Sequence, residues 1–83
     1  MEPSLTLEEA AQQVIKTLFR RCRDTRLHQQ DVSDLARHAS LDFATAKRVI
    51  ALLEREGYVE TLTFGQKVAF TDAGLVIAQR LIR

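Results

Sequence analysis

The stretch Ser40-Leu41-Asp42-Phe43-Ala44-Thr45-Ala46-Lys47-Arg48-Val49-Ile50-Ala51-Leu52-Leu53-Glu54-Arg55-Glu56-Gly57-Tyr58-Val59 decides how the chain is read. At 100° per residue, Phe43, Ala46, Val49, Ile50, Leu52 and Leu53 fall on one half of a helical wheel. Ala44, Lys47, Arg48, Ala51 and Arg55 cluster on the opposite side, with Glu54 at the margin. Asp42 is placed to cap this helix, since its carboxylate can accept from a free N–H of the first turn. Gly57 ends it near Glu56, because glycine takes the left-handed C-terminal conformation without steric cost.

Working toward the N-terminus, Val32, Leu35, Ala36 and Ala39 mark a short second helix, with Asp31 as its N-cap. His38-Ala39-Ser40-Leu41 forms the turn between the two helices. Asp24 to His28 has no period and reads as a loop. Before it, Leu7, Ala11, Val14, Ile15, Leu18, Phe19 and Cys22 recur at helical spacing and define a first helix from Leu7 to about Arg23. Thr6-Leu7-Glu8-Glu9 supplies its capping box.

Beyond Gly57 the period changes. Tyr58 to Phe64 and Gln66 to Thr71 are rich in β-branched and aromatic residues, and Gly65 between them predicts a tight β-hairpin. Thr71 caps a last helix from Asp72 onward, apolar through Ala73, Leu75, Val76, Ile77, Ala78, Leu81 and Ile82. The order is helix, helix, helix, hairpin, helix. The fold class is mainly α with a small β-hairpin.

At 83 residues the chain is expected to form one domain, spanning 1–83. A chain of this size buries ~60–65% of its unfolded surface, enough for one modest core. Neither a second core nor a cleft between domains fits. The single cysteine, Cys22, excludes an internal disulfide framework and a Cys-rich zinc site. No apolar run approaches the ~20 residues of a membrane span, and the N-terminus has no hydrophobic signal core. A cytoplasmic setting and no membrane association are the expectation. The formal net charge of +1 means that nucleic-acid binding must rest on where charges sit, not on their total.

The segment from Val32 to Val59 resembles the helix-turn-helix core of winged-helix regulators of the MarR, PadR and DtxR types. Leu35-Ala36 matches the Leu-Ala pair of the second helix, and Leu41 the apolar residue near the turn. Leu53-Glu54-Arg55-Glu56-Gly57-Tyr58-Val59 matches the Leu-acidic-x-x-Gly-apolar-apolar ending. Phe70-Thr71-Asp72-Ala73-Gly74 is similar to the apolar-Thr-x-x-Gly element that closes the wing and opens the next helix. Ser40 departs from the pattern, because glycine often holds that turn position. The resemblance implies a winged helix with a three-helix core, a β-wing and a C-terminal helix. It further implies a DNA-binding transcriptional regulator that dimerises through its N- and C-terminal helices.

Read from its own residues, the third helix suits a major groove, since small alanines beside long cations allow close approach to base edges. Ala44, Thr45, Lys47, Arg48 and Ala51 are the candidate DNA contacts, and Lys67 after the hairpin tip is placed to reach a phosphate or the minor groove. Arg20, Arg21, Arg23 and Arg26 gather at the end of helix one, where the macrodipole favours cations without any partner. Cys22, His28 and His38 lack metal-ligand spacing, so no metal or cofactor is expected. No Gly-rich phosphate loop or nucleophile–base pair points to an enzyme.

The last helix offers more apolar surface than the core needs, which points to a homodimer. Two recognition helices related by a two-fold axis engage two half-sites of double-stranded DNA. A different reading stays open: a winged helix used as a protein-interaction module, or as a subunit of a larger assembly. The near-neutral charge, the acids Asp42, Glu54, Glu56 and Glu60, and the short wing tipped by Phe64 favour that alternative.

Overall fold

The computed structural model describes residues 6–25 and 28–82. Its elements are α1 (Leu7–Thr25), β1 (Gln29–Asp31), α2 (Val32–His38), α3 (Phe43–Arg55), β2 (Val59–Leu62), β3 (Lys67–Phe70) and α4 (Asp72–Ile82). The capping box at the start of α1 is formed in both directions. Glu9 N–H donates to Thr6 Oγ1 at 3.1 Å, and Thr6 N–H donates to Glu9 Oε1 at 3.0 Å. The helix runs on to Thr25, past the expected end near Arg23.

The core is built where the three leading helices meet the sheet. Val14 and Leu18 of α1, Leu35 of α2, Val49 of α3, Val59 of β2 and Val68 of β3 are its largest fully buried side chains. Leu7 is exposed although it shares the apolar spacing of α1, and Ala10 is buried in its place. Ala78 is the fully buried side chain of α4, while Ile77 and Leu81 pack partly against the core. The Phe70 ring meets Phe19 of α1 with centroids 6.5 Å apart. Among the described residues, no helix is long and apolar enough to cross a membrane.

The sheet has three antiparallel strands in the order β1-β3-β2, one more than the expected hairpin. The added strand is Gln29–Asp31, which follows the expected loop Asp24–His28 and ends at the expected helix cap Asp31. Its three residues are polar and carry no alternation. They become a strand because β3 offers a free edge, pairing Gln30 with Val68 and Asp31 with Lys67. Gln30 is buried there. Asp31 precedes α2 as expected, but its side chain makes no capping bond. The Val32 N–H donates instead to the carbonyl of Gln66, at 2.9 Å.

The hairpin strands are also shorter than expected. Their last pair is Leu62 opposite Lys67, leaving residues 63–66 as the tip. Thr63, Phe64 and Gly65 all take positive φ, at 54°, 55° and 83°. The tip therefore places two non-glycine residues in the left-handed region, where Gly65 alone was expected to supply the turn.

Two helix endings share one motif. After α2, Leu41 N–H donates to the carbonyl of Ala36 and Ser40 N–H to that of Arg37. After α3, Tyr58 N–H donates to the carbonyl of Leu53 and Gly57 N–H to that of Glu54. Each is a Schellman ending, which requires a left-handed residue past the cap. Gly57 supplies it freely at φ 85°, whereas Ser40 adopts it at φ 59° with a Cβ in place.

The start of α4 is locked to the end of α3. Thr71 Oγ1 accepts from Gly74 N–H at 3.1 Å, capping α4, and donates to the carbonyl of Gly57. Thr71 N–H donates to the carbonyl of Tyr58 at 3.1 Å. Gly74 lies against the same carbonyl, so closely that a Cβ would fall 1.7 Å from the Tyr58 oxygen. That distance is about half a normal contact, and the obstacle is backbone.

Two substitutions follow with opposite signs. Gly74→Ala should lower the unfolding free energy by about 2–3 kcal/mol, because α4 must move off Tyr58. Ser40→Gly should raise it by about 1 kcal/mol by relieving the left-handed serine. Urea unfolding of the two variants beside the wild type checks both signs.

Candidate nucleic-acid interface

The exposed face of α3 is set by its N-cap. Asp42 accepts from Thr45 N–H at 3.3 Å and from Thr45 Oγ1 at 2.5 Å. These bonds from the Thr45 hydroxyl and amide hold the Asp42 carboxyl below its ordinary range. Ala46, Val49, Ile50 and Leu53 turn inward. Ala44, Lys47, Arg48, Ala51 and Arg55 turn outward together.

Phe43 and Leu52 were expected in the core and are not there. Phe43 is 51% exposed and Leu52 36% exposed, each at one edge of the buried stripe. On the Phe43 side, the Lys47 ammonium sits 5.5 Å from the ring centroid, a cation–π contact that braces the lysine outward. The Glu54 carboxylate turns away toward the wing and accepts from Thr61 Oγ1 at 2.9 Å. Among the described residues, Lys47, Arg48 and Arg55 make no ion pair. The outward face thus combines three cations, two alanines and no acid.

The candidate residues divide. Ala44, Lys47, Arg48 and Ala51 form one surface, joined by Arg55. Thr45 stands apart, half-buried and with its hydroxyl given to Asp42. Lys67 is on the wing, but its ammonium lies 3.3 Å from the Asp31 carboxylate. The two are directly paired across β1 and β3, and neither is fully exposed. Sequence reading missed this partner because β1 itself was not visible to it. A groove runs between α3 and the wing, lined by Ser33, Phe43, Lys47, Phe64, Gly65 and Gln66.

The other singled-out residues lie elsewhere. Arg20 is exposed and Arg21 half-buried on α1, Arg23 lies 3.9 Å from Asp24, and Arg26 falls outside the described residues. Cys22 packs partly against the core, and burial pushes its thiol above the usual range despite an opposing bond with Gln30. Its Sγ is 3.8 Å from the carbonyl oxygen of His28. His38 is exposed at the end of α2. Among the described residues, no group of three or more His, Cys, Asp or Glu is placed to hold a metal.

A helix-turn-helix whose second helix is followed by an antiparallel wing and a capped closing helix defines a winged helix. The solved structures agree. The backbone matches the crystal structure of the MarR family transcriptional regulator SPO1453 from Silicibacter pomeroyi DSS-3, with a TM-score of 0.69 over 86% of this chain. Sequence identity is 17%, and the chain spans 50% of that protein's length. No protein-family model and no curated protein matches the sequence. The expected winged-helix fold, mainly α and MarR-like, is borne out.

The depressed Asp42 carboxyl fixes a pH dependence. A group whose folded value lies below its unfolded value stabilises the fold fully above the ordinary carboxylate range. That contribution is lost as pH falls through the depressed value. Asp42→Ala should therefore be less stable than the wild type at neutral pH, and the gap should close on acidification. A thermal-unfolding series against pH checks this; a gap that stays constant into the acid range contradicts it.

Proposed function

We propose that this protein binds double-stranded DNA as a small homodimeric transcriptional regulator, with α3 in the major groove. The observation that carries the reading is the outward face of α3. Ala44 and Ala51 let the helix axis approach base edges, while Lys47, Arg48 and Arg55 flank them with cations that no acid among the described residues neutralises. Arginine and lysine reach guanine edges or phosphates from such a position. Thr45 acts mainly through the Asp42 cap that orients the helix. Lys67, held by Asp31, contributes to a phosphate contact only if that pair opens.

Dimerisation answers the weak total charge, because two such faces double the cations presented to one duplex. Its support is the outer side of α4, where Leu75 and Val76 are 40% and 48% exposed, with Ile82 exposed further along and Leu7 exposed on α1. An interface of the N- and C-terminal helices would cover these side chains.

Fluorescence-anisotropy titration of a mixed-sequence duplex over a range of salt tests the DNA reading. Each phosphate contact contributes a slope of about 0.9 in log K against log salt. Lys47→Ala/Arg48→Ala should lose at least tenfold in affinity at low salt and flatten the slope by up to about 2. Unchanged binding in that variant overturns the assignment of α3. Absence of salt-dependent binding by the wild type turns the reading to a protein-interaction module. Separately, Leu75→Glu/Val76→Glu should convert a sedimenting dimer to a monomer while leaving the helical circular-dichroism signal intact.

A further inference from the structure

The wing carries one residue whose conformation and exposure nothing among the described residues explains. Phe64 is 106% exposed, and it follows Thr63 and precedes Gly65 in a run of three left-handed residues. A β-branched residue and a bulky aromatic are both unfavourable in that region, where Asn or Gly costs far less. The tip is nonetheless well defined. Gly65 N–H donates to the carbonyl of Leu62 and Gln66 N–H to that of Thr63, each at 3.1 Å. These overlapping turns leave the ring pointing away from the sheet, fully exposed.

The surroundings narrow what such a ring meets. Lys67 is the one Lys or Arg between Val59 and Phe70, and its ammonium is taken by Asp31. Positive charge on the wing is thus confined to one lysine that already has a partner. Phe64 lines one groove with Phe43 and Lys47 of α3 and with Asp31, the acid paired to Lys67, so the ring borders the edge of the α3 face. A helix in a major groove brings an adjoining hairpin against the neighbouring minor groove. Apolar side chains presented there wedge between base steps and kink the duplex.

We propose that Phe64 is such a wedge: it enters the minor groove beside the α3 site, partly unstacks one base step and bends the DNA. The protein then favours sequences in which that step is easily deformed, most of all TA steps. This rests on the DNA-binding reading above. It assigns to the wing a share of specificity that needs no hydrogen bond to a base.

Two duplexes of A·T pairs alone, one alternating TA and one a continuous A-tract, test the effect through the part of their affinity difference that Phe64→Ala removes. Both show the same minor-groove acceptors and differ in stiffness. With end-labelled duplexes, the wild type should favour the alternating sequence by roughly tenfold and raise energy transfer between the ends, as a bend requires. Phe64→Ala should bind the two alike, without the rise, and Phe64→Leu should keep part of both effects. The side chain is fully exposed, so these variants are expected to fold, and circular dichroism verifies it. Equal wild-type affinity for the two duplexes, or a bend that persists in Phe64→Ala, overturns the wedge. If salt-dependent binding is still lost in Lys47→Ala/Arg48→Ala, the wedge fails alone and the α3 reading stands. If the wild type binds neither duplex at low salt, both fail together, and the ring is left for a protein pocket.

Discussion

One hydroxyl group holds the end of α3 and the start of α4 in register. Thr71 Oγ1 donates to the last turn of the α3 ending at Gly57 and accepts from the first turn of α4 at Gly74. At this point α3 has stopped, the wing returns and the closing helix begins. Neither glycine is interchangeable with alanine. Gly57 must take a positive φ, and Gly74 must leave room for the Tyr58 carbonyl. The Leu-acidic-x-x-Gly and Thr-x-x-Gly elements are far apart in sequence, but they are the two halves of one junction.

From that junction outward, polar side chains near α3 are mostly spent on geometry. Thr45 holds the Asp42 cap, Glu54 is tied to the wing through Thr61, and Asp31 is tied to Lys67. These contacts withdraw acids from the outward face of α3 and leave its cations without an ion pair among the described residues. Lys47 is further steadied by Phe43. The positive character of this face is therefore a matter of arrangement in a chain of net charge +1.

How much of this could be read beforehand depended on whether each feature was local. The extent of α3, its cap and its ending were legible because the 3.6-residue period, Asp42 and Gly57 lie together. Strand β1 was not, since Gln29–Asp31 has no pattern of its own and takes its state from the edge of β3. That omission hid the partner of Lys67 and the capping alternative at Val32. Phe43 was placed in the core because a wheel halves a helix without showing where its neighbours end. The αL conformations of Thr63 and Phe64 run against residue preference, and nothing in composition announces them.

The contact at Gly74 has a mechanical meaning. With no Cβ between them, α4 and the Tyr58 carbonyl have no slack, and Thr71 pins the same corner by hydrogen bonds on both sides. The start of α4 is thereby set at one fixed distance from the chain that leaves α3, with no side chain between them to act as a spacer.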